Sequence, residues 1–170
     1  MFERLFQGGE YSIRGYDIRS VGPTVPGSQV VLGGNKSLLF NAEYLINIAG
    51  PVRLVLFADA GQVRDRGESF GWKEPVTRLT TIGALGPADA ATAIYGVSGF
   101  NNLLPTRLDT LGQTNAFKTS TGAEIRFFMP VLNVPFRLIF AANPSRVGVL
   151  DNSLRPEKLF KFRFAVGTTF

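Results

Sequence analysis

The side chains that most often carry chemistry are missing. Among 170 residues there is no histidine and no cysteine, which removes the usual general base, the usual zinc ligands and any disulfide framework. Ser98 lacks a Gly-x-Ser-x-Gly setting, and no phosphate loop or dinucleotide fingerprint occurs. Paired carboxylates can run acid–base catalysis, but no nucleophile–base pair accompanies them. The sequence therefore reads as a non-enzyme without a cofactor. Carboxylates can still hold a guanidinium through forked, charge-assisted hydrogen bonds. Glu43 and Asp59 are candidates for such a pair if the elements carrying them put both on one face.

Those elements read as strands. Period-two alternation runs over residues 37–46, 52–61, 120–129, 136–143 and 159–170. Phe40, Ala42, Tyr44 and Ile46 share one face of the first segment, and Glu43 takes the other. In the second, Leu54, Leu56 and Ala58 oppose Arg53 and Asp59. The charges inside the five segments are Glu43, Arg53, Asp59, Glu124, Arg126, Arg137, Lys161 and Arg163, and each falls on the less apolar face of its strand. Each segment has roughly the 9–11 residues that a tilted membrane-spanning strand needs. Short connections alternate with long ones, as in outer-membrane barrels with short periplasmic turns and long outside loops. The connection 62–119 is rich in Gly, Thr and Ala and is expected to be a long outside loop. No apolar run is long enough for a membrane-spanning helix. Lys and Arg outnumber Asp and Glu by 18 to 13, for a net charge of +5. These basic residues are scattered rather than clustered, which argues against nucleic acid as a partner.

Two segments carry a family resemblance. Gly8-Gly9-Glu10-Tyr11-Ser12-Ile13-Arg14-Gly15-Tyr16-Asp17 resembles the Val/Ile-Arg-Gly-Phe/Tyr motif of the outer-membrane barrel-assembly and two-partner secretion (POTRA-barrel) superfamily, in its BamA-like branch. The terminal Phe162-Arg163-Phe164-Ala165-Val166-Gly167-Thr168-Thr169-Phe170 resembles that superfamily's C-terminal signal strand. Phe57-Ala58-Asp59-Ala60-Gly61 is similar to its Phe-x-Asp-x-Gly strand.

The resemblance implies an all-β, antiparallel transmembrane barrel segment, the last five strands of sixteen. Residues 1–36 would be extracellular loop six, folded into the lumen, and residues 37–170 the C-terminal strands. The rest of the barrel and the periplasmic POTRA domains would belong to a longer protein. The implied location is the bacterial outer membrane. The implied partners are unfolded outer-membrane proteins, assembly-complex lipoproteins and the lipid bilayer. The resemblance places Arg14, flanked by Ile13, Gly15 and Tyr16, against the inner wall, and strand parity offers Glu43 and Asp59 as its acceptors. Gly15 would serve close approach or a positive φ. Phe162, Phe164, Val166, Gly167 and Phe170 would form the seam and signal strand. Two rivals stay open: a related two-partner secretion or translocation pore, and a soluble β-sandwich binding module.

Overall fold

The computed structural model describes residues 3–25, 30–81, 106–129 and 134–166. The described residues form seven strands: β1 (Lys36–Ala49), β2 (Val52–Arg64), β3 (Lys73–Thr81), β4 (Thr106–Asn115), β5 (Lys118–Met129), β6 (Val134–Ala142) and β7 (Phe160–Val166). Five of them form one antiparallel sheet in the order β1-β2-β5-β6-β7, and β3 pairs with β4 alone. Among the described residues no helix occurs.

The alternating segments of the sequence lie within β1, β2, β5, β6 and β7. The span 62–119 differs from its expected reading as one loop. β2 continues to Arg64, β5 begins at Lys118, and the hairpin β3–β4 stands between them. Lys73–Thr81 and Thr106–Asn115 mix polar residues on both faces and carry Pro75 and Gly112, so neither gives an amphipathic alternation. β1 turns into β2 at Gly50, whose φ of 49° suits a residue without a Cβ.

The register aligns the ionic side chains into rows. Asn41 faces Asp59, and Asp59 faces Ser120; Val55 faces Glu124, and Glu124 faces Ile139. Ile139 in turn faces Arg163, and Ala141 faces Lys161. This is the buried face: Val55, Phe57, Asp59, Ser120, Glu124, Arg137, Ile139 and Ala141 are all shielded from solvent. The opposite face exposes Phe40, Tyr44, Leu56, Phe140, Phe162 and Phe164, with Phe162 and Phe164 each 58% accessible. A water-soluble sheet buries its apolar face; this one buries its charged face and bares its aromatic one.

The cover over the charged face is the N-terminal segment. It is pinned into shape by bridges between Leu5 and Gly34, Gln7 and Val21, and Thr24 and Val31. It contributes Ile13, Tyr16 and Val21 to a small core shared with Val149. A second small cluster joins Phe57, Ile139 and Ala141 on the inner wall.

Candidate functional site

Arg14 is the centre of the buried face. Its Nε donates to Asp59 Oδ2 at 3.0 Å and its Nη2 to Asp59 Oδ1 at 3.1 Å, a forked pair. Nη2 also lies 2.7 Å from Glu43 Oε1, and Nη1 lies 3.0 Å from Glu124 Oε2. The Arg14 backbone amide donates to Asp59 Oδ2 at 3.1 Å, so backbone and side chain grip one carboxylate. The guanidinium carbon sits 4.2 Å from the centre of the Phe57 ring, which supplies a π face beneath it. A buried guanidinium is tolerable only when its donors are matched by acceptors, and here three carboxylates from β1, β2 and β5 do so.

The acids are themselves held. Asn41 Nδ2 donates to Asp59 Oδ1 and to the Ser12 carbonyl, both at 2.7 Å. Arg126 Nη2 donates to Glu43 Oε1 at 2.9 Å, and its Nε to Glu124 Oε1 at 2.7 Å. Arg137 donates to both oxygens of Glu124. Glu124 is thus the common acceptor of three arginines.

Gly15 follows at the tightest point. Its φ is not in the left-handed region, so close approach and not backbone freedom is what requires glycine. A Cβ there would overlap the Asn143 side-chain oxygen and meet Ser120 Oγ. The Gly15 carbonyl accepts from Asn143 Nδ2 at 2.8 Å. Tyr16 and Ile13 are fully buried in the small core. Burial pushes the Tyr16 hydroxyl above its ordinary range, and the Glu157 carboxylate adds to the shift. Asp17 Oδ1 then accepts from Lys161 Nζ and from Arg163 Nη2, both at 2.6 Å.

Ile13, Arg14, Gly15, Tyr16, Glu43 and Asp59 therefore come together in one cluster, buried except at Glu43, whose side chain stays 29% accessible. Phe162, Phe164 and Val166 stand apart from it, exposed on the outer face of β7. Phe162 packs on Phe140 with centroids 5.0 Å apart, and Phe164 stacks on Phe136 at 6.0 Å. Gly167 and Phe170 lie outside the described residues. The sequence reading did not single out Glu124, Asn143 and Asp17 as partners, nor Asn41 and Arg126, which hold the named acids. Glu124 had the right parity but no sign of its distance from Arg14. Asp17 stood inside the motif yet served only to mark its branch. Asn143 carried no signal. Among the described residues no group of acids is arranged to hold a metal ion.

A family model described as the Omp85 superfamily domain matches residues 1–170. The chain is 30% identical over 178 aligned residues to the outer membrane protein assembly factor BamA of Neisseria meningitidis serogroup B, an alignment covering 99% of this chain and 19% of that protein. It is 34% identical over 80 residues to the protein of the same name from Nitratidesulfovibrio vulgaris, covering 46% of this chain and 10% of that one. The chain thus spans less than a fifth of the length of these curated relatives. The resemblance carried by Ile13-Arg14-Gly15-Tyr16 leads to the same family, and the outer membrane expected from it is named in both relatives' descriptions. The chain belongs to the Omp85 superfamily.

Proposed function

We propose that this Omp85-superfamily chain is the C-terminal part of an outer-membrane assembly factor, one that folds and inserts β-barrel proteins without making or breaking a covalent bond. Its sheet would be the last five strands of a sixteen-stranded barrel, and residues 1–36 loop six folded into the lumen. Unfolded outer-membrane proteins would be its clients, with assembly-complex lipoproteins and the bilayer as partners.

One observation carries the reading. The charged face of the sheet is closed over the motif loop by the Arg14 cluster while the aromatic face is left bare. Lipid supports that distribution and water does not. The cluster acts as a loop lock: Ile13, Arg14, Gly15 and Tyr16 seat the loop, and Glu43 and Asp59 hold it. The last strand, with Phe162, Phe164 and Val166 facing lipid and Gly167 and Phe170 at its end, would pair weakly with the barrel's first strand. A client strand would be templated along that seam by β-augmentation.

The test uses the full-length protein in liposomes. A urea-unfolded barrel client added outside is expected to gain its heat-modifiable folded form faster than with empty liposomes. R14E should slow that gain and open residues 8–20 to protease. Passage of the client into the vesicle interior without folding would favour the translocation pore, and no effect on the client would refute the assembly reading.

A further inference from the structure

Arg14 and Asp17 lie three positions apart but hold different parts of the molecule. Arg14 is gripped by Glu43 on β1, Asp59 on β2 and Glu124 on β5. The Asp17 carboxylate bonds elsewhere: Lys161 Nζ and Arg163 Nη2 on β7, each at 2.6 Å, and the Asn152 amide at 3.0 Å. Arg163 Nη2 also donates to the Tyr16 carbonyl at 2.7 Å. Asn143 Nδ2, while holding the Gly15 carbonyl, reaches the Lys158 carbonyl at 3.1 Å, at the entrance to β7. Both cations on the inner face of β7 therefore end on the residue that closes the motif.

β7 needs that help. Its described residues run from Phe160 to Val166. Its ladder runs to β6 alone, and its other edge is unpaired among the described strands. Lys161 and Arg163 are two apart on one face, so without an acid between them they repel. Lys161 keeps a second acceptor in Glu157 Oε1 at 2.7 Å. Among the described residues Arg163 pairs with no second acid, and its Nε lacks a hydrogen-bond partner. Asp17 is thus the acid that both cations of this inner face share.

We infer that Asp17 is a second grip of the motif loop, acting on β7 and separate from the Arg14 grip on the wall, so that the pairing of the last strand depends on the loop being seated. It is a positioning residue. This inference adds to the loop lock proposed above, and the two fail separately.

The experiment is amide hydrogen exchange of the folded full-length protein in bilayers. D17N is expected to speed exchange across residues 160–166 by about tenfold or more, leaving residues 52–64 within about twofold of the parent. The double variant K161Q/R163Q removes the same contacts from the other side and should give the same pattern. Adding D17N to it should then speed exchange no further, since both changes break one interaction. R14Q reads the lock through residues 8–20. Unchanged exchange there sinks the lock while the D17N result still decides the grip. Residues 160–166 staying within about twofold of the parent in D17N, or an additive triple variant, would overturn the inference.

Discussion

Arg14 spends its donors on three acids and its flat face on Phe57, an arrangement only a guanidinium fills. Removing one member of such a buried set strands the others. Asp59→Ala should therefore cost about 3–5 kcal/mol of folded-state stability, read from urea titration of the full-length protein in bilayers. The D59A/R14A pair should cost less than the sum of its parts, because the second deletion removes the charge stranded by the first. Gly15→Ala changes no charge, yet its Cβ would overlap the Asn143 side chain. Cleavage by protease within residues 8–20 should rise as in R14E; an unaltered digest would show that Asn143 can swing aside. Asp17 gives a pH prediction. Burial alone would raise its pKa, but the hydrogen bonds from Lys161 and the Asn152 amide, with the Lys161 and Arg163 charges, outweigh it and hold the carboxyl below its ordinary range. A lowered carboxyl pKa stabilises the fold above the unfolded value of about 3.9 and loses that contribution as pH falls through the folded value. Protection of residues 160–166 should thus hold from neutral pH down to about pH 4 and fall away below it, and D17N should lack that transition.

At the scale of the strands, alternation was legible wherever one face is apolar and the other carries ions. Each of the eight charges counted in the sequence has inward parity, and Asp59, Glu124 and Arg137 are among the buried residues. That contrast fails in β3 and β4, where Thr77, Arg78, Thr110 and Gln113 leave no apolar stripe; nothing in their pattern marks a strand. The gap they fill also conceals that Val55 of β2 lies opposite Glu124 of β5. Glu43 and Asp59 could be paired from adjacent hairpin strands, whereas Glu124 needed the long-range register. Asn143 becomes legible only when its carboxamide is seen against the Gly15 backbone. The same parity makes a prediction. Ala123 lies on the outer face, opposite Leu56 and Phe140. Ala123→Arg should destabilise the bilayer-embedded protein by about 2–4 kcal/mol, as a cation near the middle of the apolar band does. A loss under about 0.5 kcal/mol in the urea titration, within the range of an ordinary surface change, would mean that this face is wet.

For the whole molecule, the two faces must be reconciled with one surrounding medium. Outward rows run from Phe40 and Ala60 at one end to Val52, Phe127 and Phe136 at the other. Along β2 that interval, Ala60 to Val52, is about 26 Å at roughly 3.3 Å per residue. A tilt of about 35–45° shortens it to about 20 Å, and the side chains at each end bring it near the apolar band of about 25 Å seen on outer-membrane barrels. Phe117 and Trp72, with ring centroids 5.3 Å apart, lie beside Phe40, at 6.5 Å from Phe117, as an aromatic rim at one border. The edges of β1 and β7 have no partner among the described strands, and in lipid such edges have to be paired. That requirement fits the proposed closed barrel. A nitroxide scan at single introduced cysteines, in a bilayer-embedded full-length protein freed of any other cysteine, tests the orientation directly; the 170 residues here contribute none. Oxygen accessibility should be high at 54, 56, 58, 138, 140, 162 and 164 and low at 55, 57, 59, 139, 161 and 163, a strict period of two in register across β2, β6 and β7. It should fall together in all strands beyond the Phe40 row. If the labels at 140 and 164 are instead shielded from oxygen while 59 and 139 are open to it, the aromatic face is a protein core and the membrane reading falls with it.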